Sequence, residues 1–90
     1  MSAEDMMFLY DEAEQTSTRF VSFIGQAKRF DLAITATHRF YGKLLVLDLQ
    51  SNRFAIIGTD DLEEPGYLEH VYQLSDEEAE ELRQFIYTLF

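Results

Sequence analysis

The side chains best suited to chemistry in this chain stand together at positions 60–70, Asp-Asp-Leu-Glu-Glu-Pro-Gly-Tyr-Leu-Glu-His. Asp60, Asp61, Glu63, Glu64 and Glu69 supply carboxylates, and His70 is one of only two histidines. Oxygen and imidazole donors of this kind suit a divalent cation, with Asp60, Asp61, Glu69 and His70 as candidate ligands. The spacing is not that of a calcium loop, which alternates acids around a glycine, nor is it His-Glu-x-x-His. The competing reading is architectural: Asp60 or Asp61 caps a short helical turn while Pro65-Gly66 bends the chain. For acid–base catalysis the candidates are His38 and His70, with Asp31 and Asp48, and such work needs a tuned group in a pocket. No serine occupies a Gly-x-Ser-x-Gly turn, and Tyr41-Gly42-Lys43 lacks the loop that aims backbone amides at a phosphate. The expectation is a non-enzymatic protein with no assigned catalytic residue, cofactor or resident metal. The alternative is a small enzyme or metal-binding protein centred on the acidic segment.

Charge is unevenly spread over the 90 residues, whose net charge is −10. Residues 1–14 hold five acids and no base; residues 15–59 hold six bases against Asp31 and Asp48; residues 60–90 hold ten acids and only Arg83. A basic middle therefore lies between two acidic ends. Arg19, Arg29, Arg39, Lys43 and Arg53 are candidates for an anion-binding patch, interleaved with aromatics as in single-strand nucleic-acid binders. The acidic total opposes binding to nucleic acid or an anionic membrane, so the preferred reading folds the acidic ends back over the basic sheet. A further alternative is an acidic protein, mimicking nucleic acid, that engages a basic partner.

The elements that must position these groups follow from periodicity. Met6–Tyr10 is a short apolar run read as an edge strand, and residues 1–5 read as frayed. Ser17–Ile24 is rich in aromatic and β-branched residues. Phe30–Thr37 alternates, with Phe30, Leu32, Ile34 and Ala36 on one side and Asp31, Ala33, Thr35 and Thr37 on the other. Leu44–Leu49 is apolar on both faces apart from Asp48, the pattern of a central strand covered on each side. Ser51-Asn52 is a hairpin turn, since Asn accepts positive φ, and Phe54–Gly58 ends the series. The dipeptide Arg-Phe recurs at 19–20, 29–30, 39–40 and 53–54 without shared residues after it, so it is not read as a repeat.

The helix runs Ser75–Leu89. Ser75 and Glu78 form a Ser-x-x-Glu capping box, and Asp76, Glu77 and Glu78 sit where the helix dipole favours negative charge. Ala79, Leu82, Ile86 and Leu89, with Phe85 beside them, make a core-facing stripe. Phe85, Tyr87 and Phe90 extend the apolar surface beyond one stripe and are the candidate homodimer interface. With no cysteine, no disulfide or thiolate zinc site can reinforce a small core. No apolar run reaches membrane-span length and the start lacks a signal-peptide pattern, so the chain is expected to be cytoplasmic.

The segments 8–11 (Phe-Leu-Tyr-Asp), 18–23 (Thr-Arg-Phe-Val-Ser-Phe), 29–34 (Arg-Phe-Asp-Leu-Ala-Ile), 39–43 (Arg-Phe-Tyr-Gly-Lys), 53–58 (Arg-Phe-Ala-Ile-Ile-Gly) and 60–70 together resemble the domain of unknown function 3055 family. The resemblance spans nearly the whole chain and implies a small, single-domain cytosolic protein of Gram-positive bacteria. It transfers no catalytic residue. The combined expectation is one α+β domain over 1–90, an antiparallel meander of about five strands with one C-terminal helix on one face. It is expected to act through protein contacts, as an interaction or regulatory module and as a homodimer.

Overall fold

Alternation in the middle of the chain produces a meander. In a computed structural model, which describes residues 5–90, the strands β1 (Ser17–Ile24), β2 (Arg29–Ala36), β3 (Leu44–Asp48) and β4 (Arg53–Ile57) pair antiparallel in sequence order. Three helices follow, α1 (Thr59–Glu63), α2 (Tyr67–Tyr72) and α3 (Asp76–Tyr87). Of the expected frayed end, residues 1–4 lie outside the described residues.

Register decides which side chains share a face, because directly paired residues project to the same side of a sheet. Phe23 pairs with Phe30 and Val21 with Leu32; Ile34 pairs with Val46, which pairs with Ala55; Leu44 pairs with Ile57. These make one face. Against it pack Leu62 of α1, Leu68 and Tyr72 of α2, and Ala79, Leu82 and Ile86 of α3, all buried. Phe23 stacks on Phe30 at 5.2 Å between ring centroids and meets Phe85 at 4.8 Å. The Tyr72 hydroxyl donates to the Val46 carbonyl at 2.7 Å, which lets a buried phenol satisfy its polar end while its ring fills the core.

Three expectations are corrected. Met6–Tyr10 is not a strand, so among the described residues the sheet has four strands and not five. The acids that follow it explain why. Arg39 binds Glu12 at 3.0 Å and Glu14 at 3.4 Å, and the Thr37 hydroxyl donates to Glu14 at 2.8 Å. These contacts draw the chain toward the end of β2, away from the unpaired edge of β1. The single helix becomes three, because Gly58 and Asp61 start α1 and Gly66, at φ 79, starts α2 in a conformation favouring glycine. Finally, β3 is covered on one side only. Val46 is buried, while Leu45 and Leu47 on the other face are half-buried.

Other local expectations hold. Ser75 caps α3, accepting from the Glu78 amide at 3.2 Å while Glu78 accepts from the Ser75 amide at 2.8 Å. Asn52 turns the β3–β4 hairpin at φ 61. The four Arg-Phe pairs share no environment: Phe30 is buried, Phe40 half-buried, and Phe20 and Phe54 exposed.

Candidate functional site

Three of the five carboxylates in the acidic segment help to hold the helices in place. Asp61 Oδ2 accepts from the Gly58 amide at 2.8 Å and from Lys43 Nζ at 3.1 Å, and Asp60 lies 3.4 Å from the same ammonium. Asp61 foremost, joined by Asp60, holds the Lys43 pKa above its ordinary value. Glu69 turns instead to Arg83, at 3.1 Å. That guanidinium also reaches Glu80 at 2.7 Å and the Leu62 carbonyl at 3.2 Å, so one side chain of α3 ties down α1 and α2. His70 is exposed. The three carboxylates among the four candidate ligands thus divide between Lys43 and Arg83, and His70 stands apart from both. Among the described residues no three of His, Cys, Asp and Glu form a group able to hold a metal ion.

The basic candidates are partly neutralised in the same way. Arg39 is held by Glu12 and Glu14, with its guanidinium 5.4 Å from the Tyr10 ring centroid, and Lys43 by Asp60 and Asp61. Arg29 forks onto Asp31, which also accepts from the Ser22 hydroxyl at 2.6 Å and Gln50 Nε2 at 2.6 Å. The Ser22 hydrogen bond, more than Arg29, pulls the Asp31 pKa down. Arg19 and Arg53 are exposed, Arg53 in register with Asp48. Of the five, Arg29, Arg39 and Lys43 are thus engaged in separate ion pairs, and the set does not form one patch.

The helix-end candidates separate too. Phe85 is half-buried against Phe23, whereas Tyr87 and Phe90 remain exposed. Beside Phe85 an open depression is lined by Phe23, Ile24, Gly25, Gln26, Glu81 and Gln84. There Glu81 Oε1 accepts from the Gln26 and Ala27 amides at 2.5 and 2.9 Å, pinning the β1–β2 turn to α3. Glu81 Oε2 is buried without a hydrogen-bond partner, in the place where a side chain on Gly25 would go. The contact explains the glycine.

A larger surface was not singled out from sequence. On the face away from the helices, Phe20, Ala33, Leu47 and Phe54 stand in one cross-strand row, and Thr18, Thr35, Leu45 and Ile56 in the next. Phe20 is 76% and Phe54 65% exposed. Ala33, between Phe20 and Leu47, is itself buried. In β1–β4 the charged residues sharing this face are Arg29 and Asp31, which pair with each other. An apolar row that crosses a whole sheet differs from the singly scattered apolar residues normal on protein surfaces. It can exclude water and dock another apolar surface; it carries no nucleophile or acid–base pair. The sequence signal for it is in β3, which is apolar on both faces: Leu45 and Leu47 share the bare face with Phe20 and Phe54.

A family model described as SAV0927-like matches residues 9–88. No curated protein matches the chain. No helix among the described residues is long and apolar enough to cross a membrane.

Proposed function

The chain belongs to the SAV0927-like family, and from that premise we propose that it works by protein contact, as a homodimeric interaction module that buries the uncovered face of its sheet. The observation that carries this reading is the Phe20–Ala33–Leu47–Phe54 row, which is uncharged in a chain of net charge −10. Two copies repel through their acids unless the surfaces that meet are neutral, and this face is neutral. Its flanking aromatics are of the type enriched at interface centres. The acidic 60–70 segment, whose Asp60, Asp61 and Glu69 carboxylates serve Lys43, Gly58 and Arg83, acts as architecture. The resemblance to the domain of unknown function 3055 family supports placing this activity in the cytosol of a Gram-positive bacterium.

Light scattering over a dilution series tests the reading. A dimer that dissociates on Phe20→Asp or Phe54→Asp, with unchanged circular dichroism, is expected. A wild-type chain that stays monomeric at millimolar concentration would refute the homodimer. A dimer lost instead on the double change Tyr87→Ala and Phe90→Ala would move the contact to the end of α3.

A further inference from the structure

We propose that two copies exchange their N-terminal arms, Met6–Leu9 of each pairing as an added strand along the open edge of β1 in the other. The inference rests on the homodimer reading and specifies how that dimer closes. Its first observation is a mismatch between sequence and structure. Met6-Met7-Phe8-Leu9 has the apolar composition of a strand, yet it lies in no strand, with Met7 89% and Leu9 92% exposed. Water is a poor environment for such a run, and nothing charged in it supports a solvated tail.

The second observation is the edge it would cover. Among the described residues β1 is the first strand of the sheet and pairs on one side only, with β2. Its sequence, Ser-Thr-Arg-Phe-Val-Ser-Phe-Ile, carries one charge and no proline, none of the usual protection for an edge eight residues long. Unpaired amides and carbonyls along it are a template for strand addition.

The third observation decides whose arm fills that edge. Residues 10–14 are held on the far side of β1's N-terminus: Tyr10 and Glu12 on Arg39, and Glu14 on Arg39 and Thr37. To lie along its own β1 the arm would have to release all of these contacts and reverse direction. With them kept, the arm projects off the end of the sheet, available to a neighbour. The chain is correspondingly extended, with a radius of gyration of 15.6 Å, against about 12 Å for a compact chain of this length. Added beside β1, the arm's alternate side chains would prolong the row that ends at Phe20. At roughly 150–250 Å² for a whole aromatic side chain, the exposed parts of the arm come to about 500 Å² per copy. Two arms therefore bring up to about 1,000 Å² to the contact, a large part of a standard interface of about 1,600 Å².

The absence of cysteine from the chain allows a clean test. Full-length protein carrying Phe8→Cys or Leu9→Cys is mixed with protein carrying one cysteine scanned over residues 17–23, and the mixture is oxidised. Covalent heterodimers at alternate scan positions are expected. Combining Leu9→Cys with the best edge cysteine in one chain should give linked dimers; a linked monomer would show the arm folding on its own sheet and overturn the exchange. Failure of every pair to link would overturn it as well. Light scattering separates this from the underlying reading. If Phe8→Asp with Leu9→Asp leaves the dimer intact while Phe54→Asp dissolves it, exchange is refuted and the sheet-face dimer stands. Loss of the dimer with both, at least 100-fold in each, supports the exchange.

Discussion

Replacing Phe54 by aspartate should strongly weaken the proposed dimer while leaving the fold almost untouched, and the structure gives the size of both effects. Phe54 lies on β4 facing away from the helices and is 65% exposed. With about 200 Å² for the whole side chain, some 130 Å² remains for a partner to cover. At about 25 cal/mol/Å² that is about 3 kcal/mol per copy. A two-fold contact buries the residue in both copies, so the full effect is about 6 kcal/mol, or roughly 10⁴-fold in Kd. Within one copy the residue contributes little, because most of its surface stays in water; the loss of a β-favouring aromatic costs about 1 kcal/mol. Sedimentation across a dilution series reads the first number, and urea unfolding of the dilute monomer reads the second. Phe54→Leu should fall between wild type and Phe54→Asp in affinity. A Kd within a few-fold of wild type would refute the assignment of the sheet face. So would a loss of several kcal/mol in monomer stability, since that would make Phe54 part of the folding core.

Four further outcomes follow from the contacts. In Gly25→Ala the added Cβ would collide with Glu81 Oε2, so a loss of about 1–3 kcal/mol is expected; in a double-mutant cycle with Glu81→Ala the two losses should sum to more than the double change costs. Tyr72→Phe leaves the Val46 carbonyl without its phenol donor and should cost about 1–3 kcal/mol by denaturant unfolding. Asp31, through Ser22, and Glu80, through Arg83, titrate below their ordinary values of 3.8 and 4.5. A depressed folded pKa stabilises above the unfolded value and that stability is lost as pH falls through the folded one, so urea midpoints should be flat above about pH 5 and drop in stronger acid, less so in Asp31→Asn. Burial raises the Tyr72 pKa well above the ordinary 10.0. Its contribution is full below pH 10 and lost as pH rises through the folded value, so ultraviolet titration should show Tyr72 ionising only with unfolding.

The expectations that held were those carried by near neighbours. The α3 cap needs only Ser75 and Glu78, three residues apart, and the β2 core face needs only a period of two. The Asn52 turn is likewise a local backbone preference. α1 and α2 were missed because each is little more than a turn long, too short for a 3.6-residue period to show. The candidate site was legible only in part: Phe20, Leu47 and Phe54 stood in the strands, but nothing local says which face of a strand is left bare.

Composition and order along the chain determined an α+β protein, its charge segregation, its meander and the start of its last helix, because neighbouring residues encode all of these. Tertiary structure alone decided that all three helices pack on one side of the sheet, leaving Leu45 and Leu47 on the bare face. It also chose the partners of Arg83, Lys43 and Arg39, and seated Glu81 on a turn 54 residues earlier. Pairings at such separations depend on where the whole chain closes, and no local preference encodes that.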